Sequence, residues 1–209
     1  MTPRCYMYRL LSHLFAKELT VENIESIRSG HAAELMDALK KTAAYAPVIC
    51  HLKSYFDQMT EAEQAALDLA ESYAWLFHGL GGPPDAPLTA SAYVGQNGDT
   101  FQQSEMAFHD LMHQYGISYV RDGKEPCDHL SVILEFISWL EEKSAASGET
   151  HHWRDAQERV IDDYLLNWLP EFAARCKKTD PSGFYASLAK DTLDVVTEDS
   201  RQFMSSVHL

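Results

Sequence analysis

The chain is predicted to fold as an all-α domain, because apolar residues recur at helical spacing along nearly its whole length and no run alternates as a half-buried strand does. Glycine and proline are sparse, 10 and 8 in 209 residues, and they gather at a few breaks. With 45% apolar residues, a chain of this length can bury a sizeable core and does not resemble a disordered or low-complexity sequence. Eight or nine helices are expected, without an internal repeat.

The first helix carries Tyr6, Leu10, Leu11, Leu14 and Phe15 on one stripe and stops before Thr20 and Asn23, which offer new start signals. Ala32 to Tyr45 and Val48 to Met59 give two further helices, separated by Pro47. Thr60 with Glu63 makes a capping box for a helix running through Leu67, Leu69, Ala70, Tyr73, Leu76 and Phe77. The run from Gly79 to Asp85, with Pro83 and Pro84, ends that helix, and the chain stays irregular to about Asp99. Phe101 to Tyr115 is helical again, with Gly116 placed to terminate it, and Ile117 to Val120 is at most a short extended piece. Arg121 to Cys127, containing Gly123 and Pro126, is a second break. Asp128 then stands as N-cap before Leu130, Ile133, Leu134, Ile137 and Leu140. Beyond Gly148 a long helix is expected from about His152 to Lys177, and Asp180-Pro181 opens the last one. A single domain, 1–209, is thereby divided into an N-terminal half, 1–120, and a C-terminal half, 128–209, joined by a hinge at 121–127.

Seventeen Lys and Arg against 31 Asp and Glu give a formal net charge of -14, which repels a phosphate backbone and argues against nucleic-acid binding. The same field draws in cationic peptides, although an acidic surface also serves solubility alone. Cys5, Cys50, Cys127 and Cys176 show neither C-x-x-C nor metal-finger spacing, a cytosolic pattern of use. Met1 to Phe15 lacks the apolar core of a signal peptide, and no apolar run reaches membrane-spanning length, so no membrane insertion is expected.

His109 and His113 lie four residues apart on one helical face, as in zinc-binding helices, but the Glu of the metalloprotease motif is missing. A third ligand would have to come from Asp128 or His129, and two surface histidines near a helix end is the commoner meaning of such a pair. No nucleophile elbow, P-loop or dinucleotide fingerprint is present, so no catalytic residue and no metal site is assigned. Glu125, Pro126, Asp128 and His129 form a compact polar segment at the hinge. It is open to two meanings: a loop with a capped helix start, or a pair of carboxylates able to grip a guanidinium beside an imidazole. Tyr73, Leu76 and Phe77 have core spacing. Trp75, displaced by about 100° per residue along the helix, falls toward the edge, where a groove for an apolar peptide could use it.

Three segments carry a resemblance to a known family. Tyr73-Ala74-Trp75-Leu76-Phe77, followed by Pro87, Ser91, Ala92 and Tyr93, resembles Y-x-x-L-F and P-x-x-x-S-x-Y. Glu125-Pro126-Cys127-Asp128-His129-Leu130 resembles E-P-x-D-H-L, and the third is Trp168-Leu169-Pro170-Glu171-Phe172-Ala173-Ala174-Arg175-Cys176 with Gly183-Phe184-Tyr185. Together they are similar to the TorD/DmsD/NarJ family of redox-enzyme maturation chaperones, the third segment being nearest the branch that serves trimethylamine N-oxide reductase. The resemblance implies a cytoplasmic all-helical chaperone, not an enzyme. It would bind the twin-arginine leader and the apo form of a molybdopterin oxidoreductase before cofactor insertion and export. It also implies leader contacts from Glu125, Pro126, Asp128, His129, Tyr73, Trp75, Leu76, Phe77, Ser91 and Tyr93. On that basis Glu125 and Asp128 are expected to engage the arginines, while Trp75, Leu76, Phe77 and Tyr93 cover the apolar stretch. No cofactor is required, weak guanine-nucleotide binding is a family expectation without a motif here, and a homodimer swapped at the hinge is implied. The alternatives are a helical metal-dependent hydrolase that holds an ion with His109, His113, Asp110 and Asp128 or His129, and a docking module that ignores the leader.

Overall fold

The computed structural model describes residues 2–59, 61–80, 85–94, 101–119, 125–147 and 150–206. Among these residues there are ten α-helices and no strand beyond one isolated bridge. Contacts group the chain into two units: Met1–Ala16, Leu88–Phe172 and Asp199–Leu209 form the first, and Lys17–Pro87 with Ala173–Glu198 the second. The expected hinge lies partly outside the described residues, which resume at Glu125. No described helix is long and apolar enough to cross a membrane.

In the first unit α1 (Pro3–Ala16) packs along α7 (Leu130–Ala146). Its buried face of Met7, Tyr8, Leu11, Leu14 and Phe15 and the buried Leu130, Ile133, Leu134 and Ile137 of α7 supply apolar surface on both sides. Two polar ties fix the register. The Ser138 hydroxyl donates to the Cys5 carbonyl at 3.0 Å, and the Ser12 hydroxyl donates to the Ser131 carbonyl at 2.8 Å. Arg4 donates from Nε to Asp199 Oδ2 at 3.1 Å and from Nη2 to Gln202 Oε1 at 3.1 Å, and its guanidinium lies 4.9 Å from the centre of the Phe203 ring. Burial raises the Asp199 carboxyl above its usual range, while the Arg4 charge and the Tyr8 hydroxyl pull the other way.

The single long helix expected over 152–177 is broken. Helix α8 (Thr150–Arg159) passes into a π-helical turn, Val160–Leu165, and α9 starts afresh at Leu169–Thr179. Pro170 is the physical reason: it has no N–H for a helix interior but fits the second position of a new helix. Side chains take up carbonyls at the break, with Asn167 Nδ2 donating to Asp163 O at 2.6 Å and Trp168 Nε1 to Tyr164 O at 2.7 Å. This split accounts for the tenth helix. Helix α6 (Phe101–Gln114) follows the expected limits, and Gly116 after it has φ +78°.

In the second unit α2 (Val21–Ser29) is opened by a reciprocal capping box between Thr20 and Asn23, and α3 (His31–Leu39) and α4 (Ala46–Gln58) follow. Thr60 lies outside the described residues. Glu61 occupies the N-cap of α5 (Ala62–His78) without a side-chain hydrogen bond. Gly79 closes α5 in the left-handed conformation at φ +67°, its N–H reaching the Ala74 carbonyl. The last helix, α10 (Phe184–Ser206), starts later than Asp180-Pro181 suggested. Asp180 still caps it from a distance, Oδ1 accepting from the Ser182 N–H at 3.0 Å and Oδ2 from the Ala186 N–H at 2.9 Å. His51 of α4 places Nδ1 2.9 Å from the buried Asp191 carboxylate of α10.

Candidate functional site

The stretch from Leu88 to Tyr93 and the E-P-x-D-H segment meet inside the first unit. A 3₁₀ turn, Ala90–Ala92, lies beside the start of α7: the Leu130 N–H donates to Leu88 O at 2.7 Å and the Ala90 N–H to Asp128 O at 3.1 Å. Thr89 and His129 form the antiparallel bridge between them. The carboxylate that sequence assigned to the helix cap has a different task. His129 is the N-cap residue, its Nδ1 accepting from the Ser131 N–H at 3.2 Å and lying 2.8 Å from the Ser131 hydroxyl. Asp128, one residue earlier and only 1% exposed, accepts the Ser91 N–H at Oδ2 over 2.8 Å. Its Oδ1 has no hydrogen-bond partner among the described residues. The carboxylate thus pins the P-x-x-x-S-x-Y segment to the E-P-x-D-H segment.

A stability effect follows from this clamp. Asp128→Ala is expected to cost about 1–2 kcal/mol by leaving the Ser91 N–H without its acceptor, whereas Asp128→Asn keeps an amide oxygen there and costs less. Urea unfolding of the two variants measures the difference, and equal losses would contradict the clamp.

Tyr93 is buried in the same place. Its ring stacks on Trp168 with centroids 5.2 Å apart, Trp168 meets Phe172 edge-on at 5.8 Å, and Phe172 meets Phe15 of α1 edge-on at 5.8 Å. The Trp168 to Phe172 segment is therefore the third wall of one packed cluster. Trp168, Phe172 and Phe15 were not among the expected site residues.

Glu125 is exposed and Pro126 half-buried, and the Tyr119 hydroxyl donates to the Glu125 carbonyl at 2.6 Å. Cys127 is buried, with Sγ donating to the Glu105 carbonyl at 3.1 Å. Burial pushes its thiol up to about 12, and the Glu105 and Asp128 carboxylates add to the rise. Burial raises Cys176 as well, while Cys50 is exposed. Brief iodoacetamide treatment of the folded chain at neutral pH is expected to label Cys50 ahead of Cys127 and Cys176, as peptide mass spectrometry would show. Equal labelling of Cys127 would contradict its burial.

The Y-x-x-L-F segment belongs to the second unit. Tyr73 meets Phe77 edge-on at 4.8 Å and Tyr185 at 5.7 Å, and Phe77 meets Tyr185 at 5.1 Å. Tyr73, Leu76 and Phe77 are buried, while Trp75 is 48% exposed. Of the ten residues expected to contact a leader, Trp75 and Glu125 are exposed. Ser91 and Pro126 are half-buried, and Tyr73, Leu76, Phe77, Tyr93, Asp128 and His129 are buried. His109 has Nδ1 3.8 Å from Asp110, and among the described residues no group of three or more His, Cys, Asp or Glu could hold a metal ion.

The family described as nitrate reductase delta subunit matches residues 28–174. The chaperone protein TorD of Vibrio parahaemolyticus is 30% identical over 190 residues, covering 90% of this chain and 88% of that protein. The chaperone protein TorD of Shewanella loihica is 34% identical over 194 residues, covering 90% and 87%. The crystal structure of an Archaeoglobus fulgidus protein assigned as a redox enzyme maturation protein has the same fold, with a TM-score of 0.55 at 17% identity. The match covers 99% of this chain and 94% of that one. These relatives are chaperones rather than catalytic enzymes, which overturns the metal-dependent hydrolase reading of His109 and His113. Matched in sequence over most of its length and in the all-helical fold, the chain belongs to the nitrate reductase delta subunit family, together with the TorD chaperones.

Proposed function

We propose that this chain is a cytoplasmic maturation chaperone that binds the twin-arginine leader and the apo form of a molybdopterin oxidoreductase. Trimethylamine N-oxide reductase is the proposed client. The chaperone would hold the client during cofactor insertion and proofread it before export. The observation that carries this reading is the 30–34% identity to TorD chaperones across about nine-tenths of the chain. The net charge of -14 supports it, since a leader with adjacent guanidinium groups is attracted to such a field. Glu125 and Trp75 are the exposed members of the residue set. The buried Asp128 acts in this reading by holding the Ser91 segment and Glu125's neighbourhood in place.

Calorimetric titration with a synthetic leader of trimethylamine N-oxide reductase tests the proposal, beside a leader with both arginines replaced by glutamine. Charge-assisted hydrogen bonds contribute about 1.5–3 kcal/mol each, so the replacement is expected to weaken binding roughly tenfold or more. Equal binding of both leaders would overturn recognition of the arginines. Equal binding of the apo-enzyme with and without its leader would favour the docking-module alternative. A homodimer exchanged across 121–127 belongs to the same proposal. It is supported by two apolar-faced helical stretches on either side of a Gly- and Pro-containing segment, and light scattering on the purified chain reads its mass.

A further inference from the structure

Large apolar side chains are exposed at five described positions, Leu67, Trp75, Leu80, Met106 and Met204, and three of the five fall on α5 or just past its cap. Their exposures are 66% at Leu67, 48% at Trp75 and 60% at Leu80. At about 100° per residue, Leu67, Glu71, Ala74, Trp75 and His78 share one face of α5, opposite the buried Ala65, Leu69, Ser72 and Leu76. The helix spends its apolar residues on both sides, although only one is needed for the core. Leu67 and Trp75 stand about 12 Å apart along the axis, with Glu71 midway between them.

The charge on α5 has one sign. Ala62–His78 carries Glu63, Asp68 and Glu71 and no Lys or Arg. Asp68 accepts from Gln64 Nε2 at 2.7 Å, while Glu63 and Glu71 have no ion-pair partner among the described residues. A second copy of this face would bring carboxylates against carboxylates, and an anionic lipid surface would be repelled in the same way. The complementary occupant is a peptide segment with a guanidinium between apolar side chains. Glu71 and Trp75 are one turn apart, close enough for a single guanidinium to pair with the carboxylate while lying over the indole.

Resting on the leader-binding reading above, we propose that the solvent face of α5 is the docking surface for the arginine-bearing segment of the leader. Glu71 and Trp75 hold a guanidinium, and Leu67 and Leu80 cover the neighbouring apolar side chains. The site lies wholly on one unit and uses no buried carboxylate.

The test titrates the full chain and its variants with the synthetic twin-arginine leader. Trp75→Ala and Glu71→Lys are each expected to weaken binding about tenfold, and Glu71→Gln about threefold with a shallower salt dependence. Asp57→Lys, which makes the same charge change as Glu71→Lys on an exposed residue of α4, is expected to change it less than twofold. Circular dichroism confirms folding, and a benzophenone side chain introduced at position 67 is expected to cross-link to the leader. If the native chain binds the leader but the α5 variants bind as tightly and position 67 does not cross-link, the docking face is wrong and leader binding stands. If Glu71→Lys and Asp57→Lys weaken binding equally, the effect is general charge and the assignment of Glu71 falls. If the native chain binds no leader, both fall.

Discussion

Trp168→Ala is expected to lower the stability of the folded chain by about 4 kcal/mol, the largest single effect among the substitutions considered. Truncating a fully buried tryptophan removes its transfer energy and leaves a cavity that the surroundings fill only in part. Trp168 is 1% exposed, between the stacked Tyr93 ring and the edge-on Phe172. It also donates Nε1–H to the Tyr164 carbonyl at the end of the π-helical turn, so truncation loses a contact at the helix break as well. Trp168→Phe keeps an aromatic face for Tyr93 but not the donor, and is expected to cost about half as much. Domains are stable by only about 5–15 kcal/mol, so the alanine variant should show a clearly lower urea midpoint with an unchanged slope. A loss below about 1 kcal/mol would mean the aromatic cluster is not packed as described.

Arg4→Ala is the second large effect, at about 3–4 kcal/mol, the usual cost of leaving a buried charge without its partner. The Asp199 side chain is 2% exposed, and Arg4 is its cationic neighbour at 3.1 Å. The pH dependence has a definite sign. Burial holds the folded-state carboxyl of Asp199 above its usual value, so the folded chain binds that proton more tightly than the unfolded chain does. Its ionisation therefore costs nothing below the ordinary carboxylate range and removes stability as pH rises through the folded value. Without Arg4 that value rises further, so the deficit of Arg4→Ala against the native chain should be greater at pH 7 than at pH 4. The double replacement Arg4→Met with Asp199→Leu is expected to recover most of the loss, because an apolar pair of similar bulk avoids the desolvation. A deficit independent of pH would assign the loss to the packing of Arg4 over Phe203 instead.

The all-helical architecture was legible because periodicity is a local signal, and the limits of α1, α6 and α7 follow from stripes and breaks within a few residues. The break at 160–168 was missed although Pro170 was in plain view, because apolar spacing continues through Val160, Ile161 and Leu165 and hides the change of helical phase. Asp128 shows the other limit. Sequence placed a carboxylate at a helix start correctly to within one residue, but could not show that Ser91, 37 positions away, would claim it. The aromatic cluster is out of reach for the same reason: Tyr93 and Trp168 stand far apart in the sequence, and only the fold brings their rings into contact. Trp75 was read correctly as an edge residue from the step angle alone.

The pairing of α1 with α7 also sets a timetable. At least 113 residues separate Ala16 from Leu130, so α1 is synthesised well before the surface it packs against. At elongation rates of about 5–20 residues per second, the apolar face of Leu11, Leu14 and Phe15 waits on the order of 6–25 s for its partner. Long-range closure of this kind slows folding, because the entropy of bringing the ends together is lost before the contact is gained. The nascent chaperone therefore presents, for seconds, the kind of bare amphipathic helix that chaperones themselves exist to shield.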